Sequence, residues 1–132
     1  MPETPTTLSV LAVDDNKLNL ILLSQLLKLL GLSSDLAYSG AEAIEKAKFN
    51  DYQVIFMDIH MPEIDGFMAT QEIRKYNQDV LIFALSADTT KPAIQKGLKS
   101  GMNAYLSKPI TKERLVAILQ EYFGDAIISL SA

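Results

Sequence analysis

The sequence predicts a doubly wound α/β domain: a five-stranded parallel sheet covered by helices on both faces. Three observations carry this prediction. Short apolar runs without polar alternation recur along the chain, as strands buried on both faces require. Longer segments with helical spacing of apolar residues lie between them. Five such strand–helix units, joined by short connections, fill the 132 residues, which is one domain's length and favours right-handed crossovers.

The elements follow in order. The first strand is predicted over Ser9–Val13 and the first helix over 17–30, where nine of fourteen residues from Lys17 to Leu30 are apolar. Gly31 stands where a helix C-terminal glycine belongs. Asp35–Tyr38 is the weakest strand. Ser39 and Glu42 form a capping-box pattern opening a helix over 41–49. Val54–Met57 is the third strand, and the Asp65–Gly66 turn opens a helix over 66–76. Val80–Leu85 is the fourth strand, followed by a helix over 91–100 with Asp88 or Thr89 as its expected cap. Ala104–Leu106 is the fifth strand, and Thr111 caps a final helix over 112–122. Residues 8–123 make up the domain. Residues 1–7 are expected to be disordered. Residues 124–132 form a tail or the start of a linker, in which Ala126–Ile128 would pack locally, lead onward, or support a dimer.

Composition removes several classes. Asp+Glu number 16 and Lys+Arg 12, giving a formal charge of −4 with the single histidine neutral. That acidity argues against a nucleic-acid-binding module. The absence of cysteine excludes disulfides, thiolate metal sites and a cysteine nucleophile; one histidine excludes a multi-histidine zinc site. No apolar run reaches membrane-spanning length, and the first seven residues lack the basic start and apolar stretch of a signal peptide. A soluble, cytoplasmic domain is expected. Residues 1–66 carry 10 acids against 4 bases, and residues 67–132 carry 6 against 8, so one acidic locus and one weakly basic surface are expected.

In doubly wound sheets ligands bind beyond the carboxyl ends of the strands. Asp14 and Asp15 follow strand 1, Asp58 follows strand 3, Ser86 follows strand 4, and Lys108, with Pro109, follows strand 5. Three carboxylates, a hydroxyl and an ammonium thus collect on one edge of one sheet. Carboxylates this close repel one another, and a hard divalent cation such as Mg2+ (or Mn2+) relieves the repulsion. Such an open acidic site suits a phosphoryl group. A carboxylate can itself serve as the nucleophile, with Ser86 and Lys108 offering donors to phosphoryl oxygens.

The motifs Val13-Asp14-Asp15-Asn16, Met57-Asp58 with Met61-Pro62-Glu63-Ile64-Asp65-Gly66, Leu85-Ser86-Ala87 and Ser107-Lys108-Pro109 occur in order at the ends of strands 1, 3, 4 and 5. With them the chain resembles, from Leu8 to Phe123, the receiver domain of two-component response regulators. The resemblance implies a (βα)5 flavodoxin-like fold with strand order 2-1-3-4-5. It implies Asp58 as phosphoacceptor, Asp14, Asp15 and Asp58 with the backbone carbonyl of His60 around Mg2+, and Lys108 as the phosphoryl-binding lysine. It also implies a cis Lys108–Pro109 peptide, and Ser86 and Tyr105 as the switch pair. The donor would be a histidine kinase or a histidine phosphotransfer protein, and the domain a monomer or weak dimer without nucleic-acid or membrane contact.

Asp15–Asn19 and the leucine-rich first helix are similar to receivers of hybrid sensor histidine kinases. The surplus leucines Leu18, Leu22, Leu26 and Leu29 lie at helical spacing and are a candidate docking stripe for a phosphotransfer helical bundle. His60, two residues after Asp58, is either a tuner of acyl-phosphate lifetime or a plain exposed loop histidine. Lys91, Lys96 and Lys99 read as a solvated helix face. The alternative functions are a degenerate receiver acting only through protein contacts and an aspartate-nucleophile phosphohydrolase. The second would normally show Asp-x-Asp after strand 1 and a cap domain. A flavodoxin-like cofactor binder would need a phosphate cradle where Asp14 and Asp15 would repel phosphate.

Overall fold

The computed structural model describes residues 8–124; the expectations for residues 1–7 and for the tail after Gly124 lie outside them. Ten elements alternate strictly: β1 (Val10–Val13), α1 (Lys17–Leu29), β2 (Ser34–Ala37), α2 (Gly40–Phe49), β3 (Val54–Asp58), α3 (Gly66–Arg74), β4 (Leu81–Ser86), α4 (Lys91–Ser100), β5 (Ala104–Ser107) and α5 (Lys112–Phe123). All strand pairs are parallel, in the order β2-β1-β3-β4-β5.

The sheet separates two apolar layers. Because side chains alternate faces along a strand, Val10, Ala12, Val54, Phe56 and Phe83 join Leu20, Leu23 and Leu27 of α1 and Leu115, Ile118 and Leu119 of α5. Leu11, Val13, Ile55, Met57 and Ile82 face the other way, onto Ala43 and Ala47 of α2, Ala69 and Ile73 of α3, and Met102. Both faces of the central strands are therefore buried, which is why their sequences show no polar alternation. β2 lies at the edge and only Ala37 in it is buried, so its apolar signal is the faintest.

The helix ends follow from capping chemistry. Asn16, Ser39, Asp65, Thr90 and Thr111 each accept a backbone N–H of the first turn that follows, satisfying donors that the helix leaves unpaired. The cap of α4 is Thr90 rather than Asp88 or Thr89; Asp88 instead accepts the Thr90 N–H and hydroxyl. The Ser39–Glu42 pair is a capping box with one shift: Glu42 reaches back to the N–H of Tyr38. Gly31 takes a φ of 82° just past α1, the left-handed conformation that ends helices.

At the end of the sheet remote from the acidic motifs, Arg74 donates to the carbonyls of Gly101 and Asn77 and to Asn103 Oδ1. Asn103 Oδ1 also accepts the Ile82 N–H, and Tyr122 donates to the Asn103 carbonyl. This network fixes the C-terminal end of α4 against α3, β4 and α5. Among the described residues no helix is long and apolar enough to cross a membrane.

Candidate functional site

Register assembles the site. Val13 of β1 pairs with Met57 of β3, so the next residue on each strand, Asp14 and Asp58, emerge side by side. Asp58 pairs with Leu85 of β4, and Ser86 pairs with Ser107 of β5. Ser86 and Lys108 therefore reach the same edge. Asp58 and Ser86 are the last residues of their strands rather than the first residues after them, because both still take part in the pairing ladder. Asp14 is 3 %, Asp58 2 % and Ser86 0 % exposed, a degree of burial that is costly for charged groups without partners.

Lys108 supplies the pairing. Its ammonium donates to Asp14 Oδ2 at 2.9 Å and to Asp58 Oδ1 at 2.7 Å. Asp14 Oδ1 accepts the Asn16 N–H at 2.9 Å, which turns the carboxylate toward the site and starts α1. Asp15 is exposed, and one carboxylate oxygen from each of Asp14, Asp15 and Asp58 falls within 4.8 Å of the others. The Lys108–Pro109 peptide is cis. Burial pushes the Asp58 carboxyl up to about 6, and the charge of Asp14 pushes the same way; Lys108 opposes both without overcoming them. Burial works against the Lys108 ammonium, yet its hydrogen bonds to Asp58 and Asp14 hold its pKa above the usual lysine value.

The connection after β3 is closely fitted. Asp65 caps α3, and the Gly66 N–H donates to the Ile59 carbonyl at 2.9 Å. A Cβ on Gly66 would collide with the Asp58 carbonyl and the Ile59 Cα, so glycine is what lets α3 start against the end of β3. His60 is exposed in this connection. Donation from Thr90 holds the Asp88 carboxyl below the usual carboxylate range, and the His60 imidazole adds a smaller push the same way.

Ser86 Oγ accepts the Asp88 N–H at 3.0 Å. Tyr105 is half-buried, and its hydroxyl donates to the Asp88 carbonyl at 2.7 Å. The backbone of Asp88 thus joins Ser86 to Tyr105. Sequence reasoning treated Asp88 only as a cap candidate, since a main-chain bridge leaves no trace in residue identity.

On α1, Leu18, Leu22 and Leu29 are 64 %, 56 % and 66 % exposed, and Ile21 is 49 % exposed. Leu26 departs from the expected stripe: it is half-buried and packs on the core. Ile21 takes its place on the surface, one position off the leucine spacing. A mainly apolar cleft of about 340 Å3 runs from Asp14 and Lys108 past Leu22, Leu26, Pro109 and Ile110. Lys96 is not merely solvated: its ammonium stands 4.7 Å from the centroid of the Phe67 ring, a cation–π contact.

The family described as response regulator receiver domain matches residues 10–120. The sensor protein EvgS of Escherichia coli K12, a hybrid sensor histidine kinase, is 37 % identical over 125 residues, which is 95 % of this chain and 10 % of that protein. The chain thus spans about a tenth of the length of that relative. The receiver domain of the sensor histidine kinase PA1611 from Pseudomonas aeruginosa, solved with magnesium coordinated in its active-site cleft, superposes with a TM-score of 0.83 at 35 % identity; the match covers 90 % of this chain and 99 % of that one. The receiver domain of Ssk1 from Saccharomyces cerevisiae, solved with the histidine phosphotransfer protein Ypd1, gives a TM-score of 0.83 at 30 % identity, with 91 % of each chain covered.

The raised Asp58 pKa makes stability depend on pH with a definite sign. In metal-free protein the contribution of Asp58 is whole below about pH 4, where the carboxyl is protonated in folded and unfolded chains alike, and it is lost as pH rises through about 6. A displacement of this size corresponds to roughly 3 kcal/mol, and losing the partner of Lys108 in an Asn variant gives part of it back. In EDTA, Asp58→Asn is expected to match the parent near pH 4 and to exceed its stability by about 1–3 kcal/mol at pH 7.5, read by urea unfolding. Equal stability of the two proteins across that range would contradict the assignment.

Proposed function

The chain belongs to the response regulator receiver family, and on that premise we propose that residues 8–123 form an active receiver in which Asp58 accepts a phosphoryl group from a phosphohistidine. The observation that carries this reading is Lys108 bridging two buried carboxylates, with Asp58 the one at the centre of the sheet edge. The domain belongs to phosphorelay signalling; it acts chemically on its own Asp58 and signals through protein contacts.

The donor set fits a hard divalent cation. Asp14, Asp15 and Asp58 offer three carboxylates whose oxygens converge, against one ammonium, and Mg2+ or Mn2+ prefers such oxygen donors with open positions left over. The carbonyl of His60 is the further ligand in this reading. When bound, the ion neutralises carboxylate and phosphoryl charge and orients the phosphoryl oxygens.

The side chains then have distinct tasks. A carboxylate oxygen of Asp58 attacks phosphorus as the phosphorus–nitrogen bond of the donor breaks and the imidazole leaves, giving an acyl phosphate. Lys108 remains beside the new phosphoryl oxygens, where an ammonium stabilises the added charge. Ser86 has its hydroxyl hydrogen free to donate to a phosphoryl oxygen, since the bond it makes to Asp88 uses it as acceptor. Attack by water on phosphorus later releases inorganic phosphate and restores the carboxylate. Tyr105 relays the state of Ser86 to α4 and β5 through Asp88. The partner on the entry side is a histidine kinase or a phosphotransfer protein. The exposed Leu18, Ile21, Leu22 and Leu29 along α1, which starts at the acidic cluster, offer it an apolar docking face, with Leu26 half-buried behind it. A cytoplasmic domain, monomeric or weakly dimeric and without nucleic-acid contact, completes the reading.

Incubation with Mg2+ and acetyl phosphate is expected to add one phosphoryl group to the intact mass, and to add none with EDTA or in Asp58→Asn. A label that survives in Asp58→Asn would sink the assignment. Followed over time, the label is expected to decay at a different rate in His60→Ala; an identical rate at every pH would leave His60 a plain loop residue. Leu22→Glu is expected to slow transfer from a phosphorylated phosphotransfer protein at least tenfold while labelling by acetyl phosphate stays intact. Unchanged transfer would remove α1 from the docking face.

A further inference from the structure

Gly97 lies in the second half of α4 and is buried. Glycine within a helix lowers its stability about four- to fivefold in equilibrium constant relative to alanine, so a buried one needs a packing reason. Tyr105 provides it. A Cβ on Gly97 would stand 2.9 Å from Cδ2 of Tyr105 and 3.2 Å from Sδ of Met102, closer than packed carbon atoms sit. The ring lies directly on the α4 backbone, and from that seat its hydroxyl reaches the Asp88 carbonyl at 2.7 Å. The N–H of the same residue donates to Ser86 Oγ.

We propose that Gly97 is a positioning residue: its missing side chain seats Tyr105 on α4 and so sets how firmly the β4–α4 connection is held against Ser86. The inference rests on the reading of Ser86 and Tyr105 as the switch pair. The rest of α4 makes this tie matter. No residue from Lys91 to Lys96 is buried, whereas Gly97 and Ser100 are, and the far end of the helix is fixed through Gly101 by Arg74. In the N-terminal half Ala93 and Ile94 are only half-buried, and the Tyr105–Asp88 bond and Lys96 over Phe67 add to the hold. An alanine at 97 meets side-chain atoms rather than backbone, Cδ2 and Cε2 of the Tyr105 ring and Sδ of Met102, so the ring is displaced while the helix persists. Once displaced, the hydroxyl no longer reaches Asp88, and the connection that carries Ser86 is released.

The test uses protein labelled with 3-fluorotyrosine and read by fluorine NMR, with the Tyr105 resonance identified from Tyr105→Phe. Gly97→Ala is expected to move that resonance toward the position of a solvent-exposed tyrosine and to leave those of Tyr38, Tyr52, Tyr76 and Tyr122 in place. Urea unfolding gives an independent reading through a double-mutant cycle. In a Tyr105→Ala background, Gly97→Ala is expected to favour folding about four- to fivefold, the ordinary alanine advantage; in the parent, much of that gain is lost. A Tyr105 resonance that stays in place, together with the same gain in both backgrounds, overturns the proposal. Failure of the switch reading shows separately: the Tyr105 resonance of the parent would then stay fixed when Mg2+ and acetyl phosphate label Asp58.

Discussion

One ammonium holds the site together. Asp14 and Asp58 are buried side by side because β1 and β3 are neighbours in register, and two buried carboxylates repel strongly. Lys108 reaches them from β5, two strands away from β3. A long flexible stem ending in a compact charge suits that span; a planar guanidinium would present its donors differently. The compensation is incomplete, since Asp58 is still pushed up to about 6. The unbalanced negative charge that remains suits a further positive charge, in keeping with the proposed chemistry.

The fold exists, in functional terms, to deliver these groups to one edge. Parallel pairing with order β2-β1-β3-β4-β5 puts the carboxyl ends of all five strands on the same side. Two apolar layers, one under α1 and α5 and one under α2 and α3, back the strand ends that hold hydrogen bonds of 2.7–2.9 Å. The same architecture leaves one part lightly held. In the first half of α4 only Ala93 and Ile94 are even half-buried, so polar ties add to a light packing there, among them the path from Ser86 through the Asp88 backbone to Tyr105. In the proposed reading, Ser86 and Tyr105 would act where a tightly held strand edge meets this more lightly held helix.

The fold was largely legible in the residues because both periodicity and punctuation pointed one way. Apolar runs marked strands buried on two faces, and Asp65 and Thr111 announced helix starts through their side-chain oxygens. Asp14, Asp15, Asp58, Ser86 and Lys108 were legible because strand ends are where such sheets bind ligands. What sequence missed falls into three physical kinds. Side-chain direction on a helix depends on where neighbouring elements pack, so Leu26 was placed on the surface and Ile21 was not. Competing hydrogen bonds decide caps, so Asp88 lost the cap of α4 to Thr90. Main-chain and missing-atom effects leave no residue signature: the Asp88 bridge and the seat at Gly97 appear only in three dimensions.

Transfer of a phosphoryl group from nitrogen to Asp58 is the step on which the proposed role of every other site residue depends. Phosphorus NMR of the protein with Mg2+ and phosphoramidate, a small donor whose phosphorus–nitrogen bond resembles that of phosphohistidine, tests this directly. The account predicts one acyl-phosphate resonance that is absent from Asp58→Asn and decays to inorganic phosphate once the donor is removed. A resonance that persists in Asp58→Asn, or no resonance in a protein shown to bind Mg2+, would contradict it.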